Sequence, residues 1–131
     1  MEMTSVLTKF EMDVVVKCLD GDHPVLEQLR NQLRCCTVAK RELTGVGLYC
    51  CLAIEHVVGT FAGTFEISDV CVDEVEGLDH GIGCVLWIER GRIALLEAFT
   101  YDEPWPSSIT KYRLSYLNEK RDMSKIIRAL G

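Results

Sequence analysis

The most constraining feature of the sequence is a pair of apolar segments that follow one another in its second half. Residues 82–88 and 93–99 are rich in β-branched, aromatic and other apolar side chains, and only residues 89–92 (ERGR) separate them. Two such segments around a short glycine-containing turn are typical of a β-hairpin. The pairing must end at Pro104 and Pro106, because proline cannot continue the hydrogen bonding of a strand. The sequence therefore predicts a central hairpin that ends in a rigid corner.

The hairpin turn sets a register for its two strands. With Arg90 and Gly91 as the turn residues, Ile88 lies opposite Ile93 and Leu86 opposite Leu95; a longer loop is the alternative, because arginine is an unusual first turn residue. One face then carries Cys84, Leu86, Ile88, Ile93, Leu95 and Glu97, and the other carries Val85, Trp87, Ala94 and Leu96. Because both faces are mostly apolar, the pattern indicates a hairpin that is covered on both sides.

The chain is short and acidic. Its 131 residues, 48% hydrophobic and 26% charged, favour one ordinary globular domain over residues 1–131. The net charge of −6 argues against a nucleic-acid-binding protein, because phosphate binding requires clustered lysine and arginine. An acidic surface instead suits docking onto a basic partner.

Two features of the sequence favour a cytoplasmic protein. No apolar stretch approaches the ~18 to 20 residues that a membrane span requires. The N-terminal residues, MEMTSVLTKFEMD, lack the basic region and the long apolar run of a signal peptide. We therefore expect neither a membrane-spanning segment nor export.

The seven cysteines favour reduced thiols over disulfides. Their number is odd, and the pairs Cys35-Cys36 and Cys50-Cys51 are sequence neighbours, whose side chains point to opposite faces in a strand. The C-x-x-C spacing that would let two thiolates bind one metal does not occur. We therefore expect the cysteines to act as small apolar core residues, and we expect no zinc or other cofactor.

Apolar side chains at helical spacing occur at the start of the chain. Residues 4–19 place them three and four positions apart, which predicts a helix capped by Thr4 or Ser5. A strand that ends at Cys18 is the alternative, because three consecutive valines lower the helix propensity.

Two further helices are predicted from caps and spacing. One begins near Asp22 or His23, with Pro24 in its first turn, and ends by Cys35. The other begins after Asp122, which acts as its cap, and continues through residue 130. The inner side of this last helix is predicted to consist of Met123, Ile126, Ile127 and Leu130.

Between these helices the apolar period changes to two. Strands are predicted at residues 38–44, 48–55, 64–72 and 111–117, in addition to the hairpin. Two helices, then five to six mostly antiparallel strands, then a short helix define an α+β domain whose helices pack on a curved sheet.

The corner after the hairpin concentrates ionisable and aromatic side chains. Glu97 is predicted to lie on the same face as Ile93, where burial would raise the pKa of its carboxyl group unless a cation or a hydrogen-bond donor compensates; Arg41 and Arg113 are the candidate partners. One interpretation joins Glu97, Asp102 and Glu103 in a carboxylate cluster for metal binding or acid–base chemistry. The other is a paired buried glutamate and a rigid turn in which Trp105 closes the end of the sheet. We favour the second, because metal sites usually include histidine or a denser set of oxygen ligands.

Other catalytic or phosphate-binding signatures are absent from the sequence. The glycines of residues 45–47 (GVG) precede a strand rather than a helix, so no helix N-terminus would meet a phosphate. The basic residues between 120 and 128, among them Arg121, fit a solvated helix face better than an RNA-binding patch. No nucleophile signature includes any of the three histidines, His23, His56 and His80.

Acidic residues cluster in the loop of residues 73–80 and again at the corner. Exposed aromatic rings beside a negative surface are what a protein inhibitor of a basic enzyme would present. A merely solubilising surface is the alternative. The residues predicted to bind a partner are Glu97, Tyr101, Asp102, Glu103 and Trp105.

Three stretches of the sequence carry a resemblance to known proteins. Residues 83–88 read GCVLWI, residues 96–106 read LEAFTYDEPWP, and residues 40–47 read KRELTGVG. They resemble blocks in small uncharacterised bacterial proteins with the pattern G-x-x-L-[FW]…L-E-G-[FY]-T-Y-D-E-P-W-P, and Ala98 stands where glycine is more usual. Some of these proteins resemble immunity proteins, which bind and block a cognate toxin. The resemblance implies a bacterial protein that binds a toxin without doing chemistry.

The sequence therefore predicts a non-catalytic protein-binding domain, in its most specific form an immunity-like inhibitor of a basic bacterial toxin. The first alternative is a small-ligand binder or enzyme with a pocket around Glu97, Arg41 and Arg113. The second is a homodimeric scaffold that pairs through sheet faces, because both faces of the hairpin are apolar and one of them needs a cover.

Overall fold

The computed structural model describes residues 6–57, 59–118 and 120–130. These residues form three α-helices and one antiparallel sheet of seven strands that does not close into a barrel, so the predicted α+β class is confirmed. In chain order the elements are α1 (Lys9–Cys18), α2 (Pro24–Gln32), β1 (Cys36–Leu43), β2 (Gly47–Ile54), β3 (Phe65–Ile67), β4 (Val70–Asp73), β5 (Ile82–Glu89), β6 (Arg92–Thr100), β7 (Arg113–Tyr116) and α3 (Met123–Ala129), with a 3₁₀ turn at Leu33–Cys35.

The sheet has one strand more than the five to six predicted, because the predicted strand at 64–72 is two strands. β3 and β4 both pair with the same side of β5, and β4 also pairs with β7. The break falls at Ser68 and Asp69. There the backbone carbonyl of Asp69 accepts a hydrogen bond from the amide of Leu117 at 2.9 Å, and the Asp69 carboxylate binds Arg121.

The helix ends follow from local capping. Thr8 and Glu11 form a reciprocal capping box that starts α1 at Lys9; the predicted caps Thr4 and Ser5 lie outside the described residues. The predicted start of α2 is confirmed: His23 accepts a hydrogen bond from the Val25 amide at 3.1 Å, and proline occupies the first turn.

The C-terminal helix ends at Ala129, one residue earlier than predicted, and fewer of its apolar side chains face the core than predicted. Asp122 caps it as expected, through a hydrogen bond from the Ser124 amide. Ile126 is buried and belongs to the core, whereas Ile127 is 49% exposed, so its predicted inward position is wrong. Arg121 precedes this helix and its side chain is 6% exposed, so it does not belong to a solvated helix face.

The sheet order is β1-β2-β6-β5-β4-β7, with β3 beside β5. Alternate residues of the central strands turn toward α1 and α2 and form the core with them. The buried strand residues include Leu48, Cys50, Leu52, Ile82, Cys84, Leu86, Ile88, Ile93, Leu96 and Ala98.

A β-bulge changes the predicted register of the hairpin. The turn is as expected, because Glu89 pairs with Arg92 and Ile88 with Ile93. Beyond Ile93, however, β6 carries one extra residue at Ala94, and Leu86 pairs with Leu96 rather than with Leu95. A one-residue shift moves every later side chain to the opposite face. The predicted faces of Leu95, Leu96 and Glu97 are therefore wrong, and only the first two residues of β6 keep them.

The hairpin is covered on one side rather than on both. Val85, Trp87, Leu95 and Phe99 are half-buried, and they do not belong to the core or to the side chains packed against it. Their face lies opposite the buried strand residues that meet α1 and α2, so the predicted cover on the second face is absent from the part of the chain that the structure describes.

Candidate binding face

The uncovered side of the sheet carries a continuous group of apolar and aromatic side chains. Antiparallel pairing places them on neighbouring strands β2, β6 and β5. Tyr101 extends the group just past β6, with its ring 5.5 Å from that of Phe99 in an edge-to-face arrangement. We call this group the open face; its members are Tyr49, Val85, Trp87, Leu95, Glu97, Phe99 and Tyr101.

A glycine makes room for the two rings at one end of the open face. Gly83 pairs with Phe99, and a β-carbon at Gly83 would lie 2.5 Å from the Phe99 ring and 2.5 Å from the Tyr101 hydroxyl oxygen. The rings of Phe99 and Tyr101 therefore occupy space above the Gly83 backbone that any side chain at position 83 would fill. Partial burial raises the pKa of Tyr101, so its hydroxyl group stays neutral at physiological pH.

Glu97 lies in the middle of the open face. Its neighbours on the adjacent strands are Tyr49 and Val85. The indole Nε1–H of Trp87 donates a hydrogen bond to Oε1 of Glu97 at 3.3 Å. No cationic side chain among the described residues forms an ion pair with this carboxylate. Glu97 is thus a half-buried carboxylate that one indole supports.

The cations predicted beside Glu97 have other partners. Arg41 lies on the helix-covered face and binds Glu11 through two hydrogen bonds of 2.7 Å. Arg113 is exposed on β7 and lies 3.8 Å from the Glu74 carboxylate. The predicted pocket of Glu97, Arg41 and Arg113 is therefore not formed, because the bulge in β6 turned Glu97 away from Arg41.

The Glu11–Arg41 pair has a structural role. Glu11 is 1% exposed. Burial raises the pKa of its carboxyl group, but hydrogen bonds from Arg41 and from the Thr8 amide outweigh that effect and leave the pKa below its usual value. A cavity of about 250 Å³ lies beside the pair and is also lined by Trp105. Two nitrogens of the guanidinium group already donate to the two carboxylate oxygens, so the two charged groups compensate each other.

The residues predicted as one binding corner are divided between the two sides of the sheet. Tyr101 belongs to the open face, whereas Trp105 packs edge-on against Phe10 of α1, with ring centroids 6.4 Å apart. The Trp105 amide also donates to the Gly45 carbonyl at 2.7 Å. Trp105 thus packs on the helix side of the sheet, as the structural interpretation of this corner predicted. The paired buried glutamate of that interpretation is not formed, because Glu97 is half-buried on the open face.

The two acidic residues of the corner do not join Glu97. The Glu103 carboxylate accepts hydrogen bonds from the backbone amides of Asp79 and His80, at 2.8 and 3.1 Å. The hydrogen bond from the Asp79 amide is the main cause of the lowered pKa of the Glu103 carboxyl group. Together the two hydrogen bonds hold the acidic loop of residues 73–80 against the corner. Asp102 is exposed in the turn, with a backbone φ of 57°.

Charged side chains on the neighbouring strands surround the open face. Exposed carboxylates come from Glu42, which pairs with Tyr49, and from Glu66, which pairs with Trp87. Asp73 pairs with Arg113 at the β7 edge, and Lys40 lies on β1. With Glu97 included, carboxylates outnumber cations among these residues, in keeping with the net charge of −6.

The described residues contain no cluster of three or more His, Cys, Asp or Glu side chains that could hold a metal ion.

All seven cysteines are free thiols, and Cys50 faces the core while Cys51 faces the open side, as their adjacency predicted. Burial raises the pKa of Cys50 and of Cys84 to about 12, which keeps both thiols protonated.

Sequence reasoning missed most of the open face. Tyr49, Val85, Leu95 and Phe99 were not among the predicted site residues, because an apolar face does not reveal from its pattern alone whether helices cover it. The signal that was present in the sequence is the second apolar set of the hairpin, which exceeds what two small helices can cover.

Comparisons with family models, with curated proteins and with solved structures found no match for this chain. None of the helices in the described ranges combines the length and the apolar character needed to cross a membrane.

Proposed function

We propose that this protein is a non-catalytic protein-binding domain whose open face binds a partner with a basic and partly apolar surface. One observation carries the proposal: half-exposed aromatic and apolar side chains on the central strands lie outside the core. Exposed apolar groups of this kind mark interaction sites, and tyrosine and tryptophan dominate the binding energy of many interfaces.

Charge favours a basic partner over a second copy of the chain. Face-to-face pairing of two copies would bring two Glu97 carboxylates and two acidic rims together at a net charge of −6 each. Like charges at an interface cost free energy, whereas complementary charges steer association and select the partner. A basic surface would offset the carboxylates of the open face, which a second copy cannot do.

The most specific form of the proposal is an immunity-like inhibitor of a basic bacterial toxin. Its support is the resemblance of residues 96–106 to small uncharacterised bacterial proteins, some of which resemble immunity proteins, together with the acidic character of the open face. The small-ligand or enzyme alternative has less support, because Glu97 and Arg41 lie on opposite faces of the sheet.

Site-specific photo-crosslinking tests the proposal. A photoreactive phenylalanine analogue replaces Tyr49 on the open face, which is 40% exposed, or Val16 on α1, which is 47% exposed. Proteins captured from a lysate of the source organism are identified, purified and titrated against the unlabelled chain. We expect a basic partner that crosslinks only from position 49. Its binding should weaken at least about tenfold in Phe99→Ser and stay unchanged in Val16→Ser.

Two results would contradict the proposal. The first is a partner whose affinity is the same for Phe99→Ser and for the wild-type chain. The second comes from light scattering after size exclusion: a dimer that Phe99→Ser converts to a monomer would show that the open face pairs with a second copy instead.

A further inference from the structure

The surroundings of Glu97 are unusual for a carboxylate that has no cation. Tyr49 and Val85 are its cross-strand neighbours, and Leu95 and Phe99 lie two positions away on its own strand. Neighbours of this kind have β-carbons within about 5 to 8 Å. The negative charge is therefore surrounded by apolar and aromatic groups, where it is less well hydrated than on an ordinary surface.

The carboxylate retains free acceptor capacity. Trp87 donates to Oε1, and no hydrogen bond to Oε2 occurs among the described residues. An ionised carboxylate accepts bonds at about four lone-pair positions, so Oε2 and the second position of Oε1 can take further donors. Because Glu97 is half-buried rather than sealed, a donor can reach it from the open side.

We infer that Glu97, with the rings of Tyr49, Trp87 and Phe99, forms a socket for one arginine side chain of the partner. This rests on the proposed function and specifies which partner residue the open face selects. A guanidinium group can donate two parallel hydrogen bonds to a carboxylate and can stack its plane on an aromatic ring. Lysine, a strongly hydrated point charge, would use the same site less well.

Other ligands fit the site less well. A divalent cation needs several oxygen ligands, and the described residues hold no metal-binding cluster at this face. A phosphate or carboxylate ligand would meet the Glu97, Glu42 and Glu66 carboxylates. The chemistry of the socket therefore selects a planar organic cation.

The two tryptophans allow a direct test by NMR. The indole Nε1–H of Trp87 reports on the socket, and that of Trp105, on the other side of the sheet, is an internal control. The ¹⁵N-labelled protein is titrated with N-acetyl-arginine amide and, separately, with N-acetyl-citrulline amide, its neutral isostere. We expect a saturable shift of the Trp87 signal with the arginine probe alone, and no shift of the Trp105 signal.

Two variants test the role of the charge. Glu97→Gln keeps an acceptor for the indole but removes the charge, and should weaken the arginine probe about tenfold or more. Glu76→Gln removes an exposed carboxylate outside the open face, at the same cost in net charge, and should leave the shift unchanged. Equal shifts with the citrulline probe, or an unaltered titration of Glu97→Gln, would overturn the inference.

The outcomes separate the socket from the proposed function. A partner that needs Phe99 but binds Glu97→Gln as tightly as the wild-type chain would overturn the socket and leave the binding function in place. An arginine-specific shift together with a partner whose affinity is unchanged by Phe99→Ser would overturn the proposed binding of that partner by the open face. It would leave an arginine-binding site at Glu97 in place.

Discussion

Glu11 and Glu97 are both carboxylates in largely apolar surroundings, and their partners give them different roles. Glu11 is fully buried and has a bidentate arginine and a backbone amide as donors. Glu97 is half-buried and has one indole donor. The first is a closed structural pair that holds α1 against β1. The second keeps acceptor capacity for a ligand, which is why the proposed binding role belongs to Glu97.

Arg41→Met should destabilise the fold by about 2–3 kcal/mol at pH 7, since it leaves the Glu11 carboxylate buried without a cation. The value lies below that of a fully buried pair because the Arg41 side chain is 29% exposed. Urea denaturation followed by circular dichroism measures the loss. The double variant Glu11→Gln/Arg41→Met should recover at least half of it, and a double variant as unstable as the single one would contradict this explanation.

The same pair predicts a pH dependence. The pKa of Glu11 is lowered in the folded state, so its stabilisation is fully present above the unfolded-state pKa of about 4.3 and is lost as the pH falls through the folded value. In Arg41→Met, burial without a cation instead raises the pKa of Glu11. Protonation of Glu11 at low pH then removes the buried negative charge and most of the stability loss that the substitution causes. The difference in unfolding free energy between the two proteins should therefore be smaller at about pH 4 than at pH 7; a constant difference would be the contrary result.

At the scale of elements, the β5–β6 hairpin depends on a tight turn that lies close to another loop. Arg90 and Gly91 both have positive φ, 51° and 76°, as a two-residue hairpin turn requires. The Gly91 amide donates to the Gly63 carbonyl at 2.8 Å. Gln32 of α2 donates to the Gly91 carbonyl at 2.6 Å and accepts from the Ile93 amide at 3.0 Å. Hydrogen bonds thus join the turn to α2 and to the loop that contains Gly63, as well as to its own strands.

Gly91→Ala should lower the free energy of unfolding by about 1–3 kcal/mol more than Gly77→Ala. Both glycines have positive φ, so both variants incur a backbone strain of about 1 kcal/mol. A β-carbon at Gly91 would in addition overlap the carbonyl oxygen of Phe61, whereas nothing lies within 4 Å of one at Gly77. Thermal and urea unfolding of the two variants give the comparison. Equal losses would show that the Phe61 loop gives way freely.

At the scale of the whole molecule, Arg121 holds together three segments that are distant in sequence. Its guanidinium group binds the Asp69 carboxylate at 2.9 and 3.1 Å and the Cys18 carbonyl at 2.6 Å, and also donates to the Asp20 carbonyl. It lies over the ring of Tyr116, 5.0 Å from the centroid. The end of α1, the β3–β4 break and the approach to α3 therefore share one cation.

Arg121→Met should lower the unfolding free energy by about 3 kcal/mol, because it removes a nearly buried cation and leaves two carbonyls and a carboxylate without their donor. Hydrogen exchange should rise most at Leu117, whose amide bonds to Asp69. Lys120→Met, at an exposed neighbouring position, should change stability by no more than about 0.5 kcal/mol. Equal effects of the two substitutions would exclude Arg121 as the link between these segments.

Local features of the sequence were enough to predict the elements and their order, except for the division of residues 64–72 into β3 and β4. Alternating and β-branched apolar residues around Arg90-Gly91 predicted the hairpin and its turn pairs, and Asp122 and His23 predicted two helix starts. These features act over a few residues, since capping, turn conformation and strand period depend on near neighbours. The α+β class follows from the same patterns.

Only the tertiary structure decided which face of the sheet stays open and which charges meet. One extra residue in β6 at Ala94 reversed the faces of Leu96 and Glu97, and the pairs of Glu11 with Arg41 and Asp69 with Arg121 join residues 30 and 52 positions apart. The physical reason is that a period of two marks alternate residues without saying which set the helices will bury. That choice, and with it the exposure of Glu97 among aromatic rings, comes from how the helices and the sheet pack.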